Sequence, residues 1–567
     1  MTGSRRRTTV RPDLCEVGLE ALIVLPPLAH IVVLSSDESA VIVVPALLTR
    51  LVTPQVTQAT AFHQGRPATR WRLVSAGGAL CLLLLGLYLR LDGFSRSLWL
   101  DEFGTFWAVE ADLITTLRRV WEFHGQSPFY YLLAWIPVHL VGESEVALRA
   151  PSLLFGCACV GLLYLSARTI GVPHAGVLAA VFAWCSGSFV RASAEARPYG
   201  LVLLTVAAAI LAFQHAVLTG SRKARLLWVL AGAAVAWTHY VQYLVVTGLL
   251  LAYALFPDLR RRYRARWFVT DTVWQLGLVA LCLPQALALF HRRQTLSFLD
   301  HANHLASVLV LLPFAVAIIL AEAGGSKGGP WPAAVFRRTL WVTIITPVIL
   351  LEAAALGGVN LLHPRYLQAL VIPGVLLAAA PVPRLRPIMV CAGLLWFSVT
   401  SAAGFIQTRK LTGTYSGMGY EDWRGAVDAL STRLGRTPDA PVLYRSGFVE
   451  EDGLPLGSPP ETTLAPLRSP GHERVRWKVR SLSFRWNNPA RERYFEDDLG
   501  PALDQSRVFY FLGGASGFEP ELYSDRFVAW VQRRWPNRFT VARTRFGWVE
   551  LLTFEIPPPS HPPPEPR

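Results

Sequence analysis

The sequence predicts a polytopic α-helical membrane protein with a small α/β domain at its C-terminal end. Three observations carry that prediction: repeated long apolar runs, basic residues gathered in the short loops between them, and a change of sequence character near residue 408. Of 567 residues 52% are hydrophobic and only 16% charged, and soluble domains carry about 25% charged residues. The formal net charge of +15 would suit nucleic acid, but much of the Lys and Arg flanks apolar runs, as membrane orientation requires. Nucleic acid is therefore excluded as a partner, and membrane lipids are expected ones. The seven cysteines show neither zinc-ligand spacing nor a disulfide framework.

Residues 1–70 are assigned no function. Val17 to Leu34 and Val41 to Leu51 are apolar but broken by Pro26-Pro27 and Asp37-Glu38, which leaves a hairpin, a signal-like segment or a non-native upstream start open. Leu73 to Leu91 is the first firm span. The clusters Ser221–Arg225 and Leu259–Arg266 mark the inner side. Between them Leu226 to Phe256 must go out and return with only about fifteen residues per arm against the usual twenty, so its tip, Trp237-Thr238-His239-Tyr240, is expected to be sunk in the outer half of the bilayer.

Working backward, Tyr199 to Val217 runs from outside to inside, so Arg191 to Tyr199 lies outside, against the usual charge bias. Ala150–Ala167 and His174–Val190 form another pair of crossings. Pro128 to Val141 is too short for a span and suits an in-plane segment, which makes 92–149 the first outer loop. Working forward, crossings fall near 268–290, 304–321, 339–357, 366–382 and 388–406, with 360–366 outside. About eleven firm crossings place the tail outside. The membrane module is 71–407, the tail domain 408–556, and 557–567 is a Pro-rich end expected to be disordered. In the tail, Trp423, Val427, Leu430 and Leu434 share a helical face, while 441–445, 508–512 and 548–554 read as strands.

Topology alone gathers four outer elements: Asp101-Glu102, the Glu195-Ala-Arg197-Pro-Tyr199 turn, Thr238-His239-Tyr240, and His363-Pro-Arg365-Tyr366. Carboxylates in one loop and cations in the others suit glycosyl transfer from a polyprenyl phosphate sugar. A carboxylate takes the acceptor's hydroxyl proton, and cations stabilise the departing phosphate. Arg grips phosphate bidentately, and His or Tyr donates to it.

Ser97-Leu-Trp-Leu-Asp-Glu102, Ser127-Pro-Phe-Tyr-Tyr-Leu-Leu, Gly142 to Ser152, Ser193 to Leu201, Trp237-Thr-His-Tyr and Pro364-Arg-Tyr occur in an order that resembles the GT-C superfamily of membrane glycosyltransferases. The likeness is to the branch of protein O-mannosyltransferases, lipid A aminoarabinose transferases and bacterial relatives. That resemblance implies a polyprenyl phosphate sugar donor and Asp101 as the base with Glu102 supporting it; a lipid, glycan or protein is the expected acceptor, and few Met with many Arg point to a bacterial plasma membrane. Two positions depart from the pattern: His124-Gly-Gln-Ser-Pro128 replaces a His or Asp followed by two prolines, and His239 stands where the aminoarabinose transferases have a lysine.

Arg197, His239, Arg365, Tyr366, Tyr199 and Tyr240 are the expected phosphate-binding groups, and Glu195 and Arg149 contact substrate in the same reading. Each has a structural alternative. Glu102 would cap a helix beginning near Thr105, Glu195 would pair with Arg197, and His239 would be a satisfied buried hydrogen bonder. Arg149 would anchor a helix end, and the tyrosines would form an interfacial belt. No cofactor is required, though a divalent cation beside the acidic pair is compatible with the sequence. The competing functions are a transporter or flippase of lipid-linked sugars and a ligase using a diphosphate-linked oligosaccharide.

Overall fold

The computed structural model describes residues 68–121, 127–169, 175–291, 331–357, 361, 364–379, 387–417, 421–445, 465–468, 479–482, 486, 489–514 and 523–558. The expectations for residues 1–67, His124, the span near 304–321, His363 and the last nine residues of the Pro-rich end lie outside the described residues. Contacts divide the chain at Arg72, and the unit Leu73–Arg567 carries every candidate site residue.

The described membrane module is helical. Helices Glu145–Thr169, Tyr199–Thr219 and Ala333–Leu356 are long and apolar enough to cross a membrane. Ala175–Trp184 and Gly187–Ala194 make a fourth such span if counted together, bent by 65° at their junction. The expectation of about eleven crossings is thus not reached by length and composition among the described residues. Two other apolar stretches are jointed. The hairpin between the two basic clusters is Arg222–Thr238 and Leu244–Leu255, parted at His239 by a 3-10 turn, Tyr240–Tyr243. The run near 366–382 is a 3-10 turn, Pro364–Leu370, leading into helix Val371–Ala379.

The bend near residue 185 has a physical cause. Arg90 is wholly buried and donates to the Trp184 carbonyl oxygen (3.1 Å), the Gly86 carbonyl oxygen (2.5 Å) and Ser193 Oγ (2.6 Å). Its guanidinium lies 3.6 Å from the Trp184 ring centroid. A carbonyl released where one helix stops is costly in an apolar bundle, and Arg90 supplies its donor while stacking on the same residue. The second limb, Gly187–Ala194, then leads into the turn that carries Arg197.

Helix Tyr199–Thr219 crosses Glu145–Thr169 so closely that Gly200 is required. A Cβ there would stand 2.9 Å from the Ser152 carbonyl oxygen and 3.1 Å from that of Ala192, both backbone atoms that cannot rotate away. Gly200→Ala is therefore expected to destabilise the protein by about 1–3 kcal/mol, as overpacked sites do. Thermal unfolding in lipid or detergent measures this, and an unchanged transition would refute the close approach.

The C-terminal part of the chain carries a five-stranded sheet in the order β2-β1-β3-β5-β4, from β1 (Val442–Arg445), β2 (Val479–Ser481), β3 (Val508–Gly514), β4 (Thr540–Phe546) and β5 (Val549–Glu555). Strand β1 pairs in parallel with β2 and β3, whereas β5 is antiparallel to β3 and β4. Period-two alternation divides its residues between two cores. Val442, Tyr444, Tyr510 and Leu512 join the cluster of helices Trp423–Leu434, Leu100–Val109 and Phe129–Val141, and Leu443, Phe509 and Phe511 pack with Phe527 and Trp530 of helix Tyr523–Arg534. Trp423, Val427, Leu430 and Leu434 are buried on one face of their helix, which the Asp422 side chain caps by accepting from Gly425 N at 3.0 Å.

Candidate active site

The acidic pair opens a helix, Leu100–Val109, rather than preceding one near Thr105. Carboxylates in a first turn are favoured by the helix dipole. Consecutive helical residues point about 100° apart, so Asp101 and Glu102 cannot face the same partner.

Glu102 turns inward and is fully buried with Arg149. Arg149 Nε donates to Glu102 Oε1 (2.9 Å) and its Nη2 to Oε2 (2.5 Å). The same guanidinium donates to the carbonyls of Gly93, Phe94, Arg96 and Ser97. Glu102 also accepts from Ala196 N at 2.7 Å and from Trp99 N at 3.3 Å. The pair therefore ties the 93–97 segment to the 195–198 turn. It occupies the carboxylate from every side.

Asp101 turns outward and remains 27% exposed. Its Oδ2 stands 2.6 Å from Arg365 Nη1 and 3.5 Å from Arg197 Nη2, and Arg197 Nη1 donates to the Asp101 carbonyl oxygen at 3.2 Å. Burial penalises its charge, but the Arg197 and Arg365 guanidiniums outweigh that and hold the carboxyl below its usual range. One carboxylate faces two guanidiniums, leaving an excess positive charge beside it. Arg197 Nε is buried without a hydrogen-bond partner. Arg365 lies 4.9 Å from the Trp99 ring centroid.

Beside this group sits an aromatic cluster. The His239 ring centroid lies 6.1 Å from that of Tyr199 and 5.5 Å from that of Tyr366, and His239 Nδ1 is buried without a partner. The break at His239 that parts the hairpin is what turns the imidazole here, and Gln242, in the 3-10 turn after it, donates to the Arg365 carbonyl oxygen at 3.0 Å. Tyr240 takes another partner, Gln285 Oε1, at 2.8 Å. Glu195 pairs with Arg191 and not with Arg197.

Asp101, Arg197, Arg365, Tyr199, His239 and Tyr366 are thus brought together, while Glu102, Arg149, Glu195 and Tyr240 are engaged elsewhere. Among the described residues no group of three or more His, Cys, Asp or Glu side chains could hold a metal ion. Each member of the acidic pair already carries guanidinium partners, so the pair offers no ready ligand set for a divalent cation. Sequence reasoning missed Arg90 and Glu421, whose Oε2 accepts from Leu100 N at 3.0 Å at the head of the Asp101 helix. Glu421 lies 320 residues from Asp101 in the chain and belongs to no motif.

Comparison with known proteins follows the same lines. The family model for dolichyl-phosphate-mannose-protein mannosyltransferases matches residues 125–285. The structure of ArnT from Cupriavidus metallidurans bound to undecaprenyl phosphate superposes with a TM-score of 0.50 at 13% identity, covering 86% of this chain and 98% of ArnT. The chain shares the ArnT fold. With three described helices long and apolar enough to cross a membrane, it is an integral membrane protein. Looser likenesses are to the apo oligosaccharyltransferase of Archaeoglobus fulgidus (TM-score 0.45, 11% identity, 84% of this chain and 73% of that one) and to the arabinofuranosyltransferase AftD from Mycobacteria (0.45, 15%, 87% and 42%). No curated protein sequence matches the chain.

Proposed function

We propose that this protein is an inverting GT-C glycosyltransferase that moves a sugar from a polyprenyl phosphate donor to an acceptor hydroxyl at the extracytoplasmic face of the membrane. The observation that carries the proposal is the half-open Asp101 carboxylate held between guanidiniums from two distant segments. Asp101 takes the acceptor's proton as the acceptor oxygen bonds to the anomeric carbon. The bond from that carbon to the phosphate oxygen breaks from the opposite side, and polyprenyl phosphate departs with the electron pair.

Arg197 and Arg365 supply the positive charge that the leaving phosphate needs, and the unpartnered Nε of Arg197 has a donor left to give. His239, between Tyr199 and Tyr366, stands ready to donate to the same phosphate. The binding of undecaprenyl phosphate by ArnT supports a lipid phosphate as the leaving group. Glu102, Arg149 and Glu195 act in this scheme by shaping the loop and turn that present Asp101 and Arg197. The tail domain lies on the same side and covers the acceptor.

The test is turnover by purified protein in lipid with a panel of polyprenyl phosphate sugars, reading the anomeric configuration of the product by NMR. Inversion with a monophosphate-linked donor is expected. Retention, or consumption of diphosphate-linked donors alone, would exclude the scheme.

The pH dependence follows from the lowered carboxyl. A base whose acid is held below the ordinary carboxyl value of 3.8 stays ionised throughout neutral and mildly acidic conditions. On that account kcat/KM should stay flat as pH falls from about 7 to about 4, with the acid limb, and the loss of the ion pairs' stabilisation, lying below. An acid limb centred near 6 would show that another group serves as the base.

A further inference from the structure

We infer that Glu421, contributed by the tail domain, is a positioning residue for Asp101, so that the active site is completed only when the tail is docked. This rests on the functional reading above and adds a component from outside the membrane module.

The geometry is specific. The first amides of a helix have no partner within it, and Leu100 N, at the head of the Asp101 helix, donates to Glu421 Oε2 at 3.0 Å. The same carboxylate accepts from Trp423 Nε1 at 2.9 Å. Glu421 is itself fixed from behind, because it bridges to Gly547 in the β4–β5 turn and the next amide, Asp422 N, donates to the Phe546 carbonyl oxygen at 3.2 Å. Around it the tail grips the preceding loop. Arg424 N donates to Ser97 Oγ (3.2 Å), and the Arg424 guanidinium reaches the Ser95 carbonyl oxygen (2.7 Å) and Glu145 (2.8 Å).

Glu421 thus caps the helix that presents the base, from a position bridged to the β4–β5 turn. Burial pushes its carboxyl up to about 7, against the hydrogen bonds from Trp423 and Leu100, which favour the charged form. What the cap supplies is an acceptor oxygen for two N–H groups. An amide can replace it.

The experiment uses the full chain in lipid nanodiscs and compares wild type, Glu421→Ala and Glu421→Gln. Two readouts are taken: steady-state kinetics with the polyprenyl phosphate donor, and deuterium exchange of the amides at the head of the Leu100–Val109 helix. Loss of a cap that aligns a base should lower kcat about tenfold in Glu421→Ala. Donor KM should stay within about twofold, because Arg197 and Arg365 are untouched, and exchange at residues 100–103 should rise. Glu421→Gln should restore most of both.

Wild-type kcat in Glu421→Ala, a rise in KM in place of the fall in kcat, or unchanged exchange would overturn the inference. So would a Glu421→Gln variant as impaired as Glu421→Ala. If the wild type turned over no such donor, the functional reading would fall by itself, and the exchange measurement would still decide whether Glu421 caps the helix.

Discussion

Asp101→Asn is expected to lower kcat by about 10²–10⁴-fold, the usual range for removing a positioned general base. The substitution preserves shape, and an Asn carbonyl oxygen still accepts from Arg365, so the 2.6 Å contact is replaced without collapse of the loop. The negative charge that balances two guanidiniums is lost. Affinity for an anionic donor should therefore hold or increase while turnover falls. That division between kcat and donor KM separates loss of a base from a general loss of the site. Undiminished turnover would remove Asp101 from the chemistry, and a fall confined to donor affinity would reassign it to binding.

Arg149→Met should destabilise the protein more than Gly200→Ala or Asp101→Asn does. Removing one partner of a buried ion pair leaves the other charge uncompensated, at about 3–5 kcal/mol. The loss is compounded at this position, since the four carbonyls of Gly93, Phe94, Arg96 and Ser97 lose their donor as well. The double variant Glu102→Gln with Arg149→Met should recover part of the loss, because no isolated buried charge remains. Thermal unfolding of the four proteins of this cycle isolates the pair's coupling. Additive single effects would show that the 0%-exposed pair does not tie the loop to the turn.

Much of the architecture is legible in the order of residues because bilayer and helix periodicities are local. The basic clusters at 221–225 and 259–266 demand a hairpin too short for two full spans, and the chain breaks at His239, within the expected tip. In the tail the expected helical face is the buried one, and the strands appear at 442–445, 508–514 and 549–555. Strand β4 escaped notice because none of its residues is buried. Its alternating Arg543 and Arg545 give an edge strand no apolar signature.

The acidic pair shows where local reading ends. Sequence supplies Asp101 and Glu102 as neighbours of equal chemical promise, and the helical rotation between them sends one to Arg149 and the other to Arg197 and Arg365. Which arginine meets which carboxylate depends on contacts between residues 47 to 264 positions apart. No periodicity spans such intervals.

The sequence by itself determined the membrane class and singled out Asp101, Arg197 and Arg365 as residues to meet at one site. These follow from hydropathy and charge, which each residue carries wherever the chain goes. The tertiary structure decided that Glu102 is a tie, that Glu195 serves Arg191, and that a tail carboxylate heads the Asp101 helix. Those outcomes depend on directional hydrogen bonds, and direction exists only once the backbone has been placed.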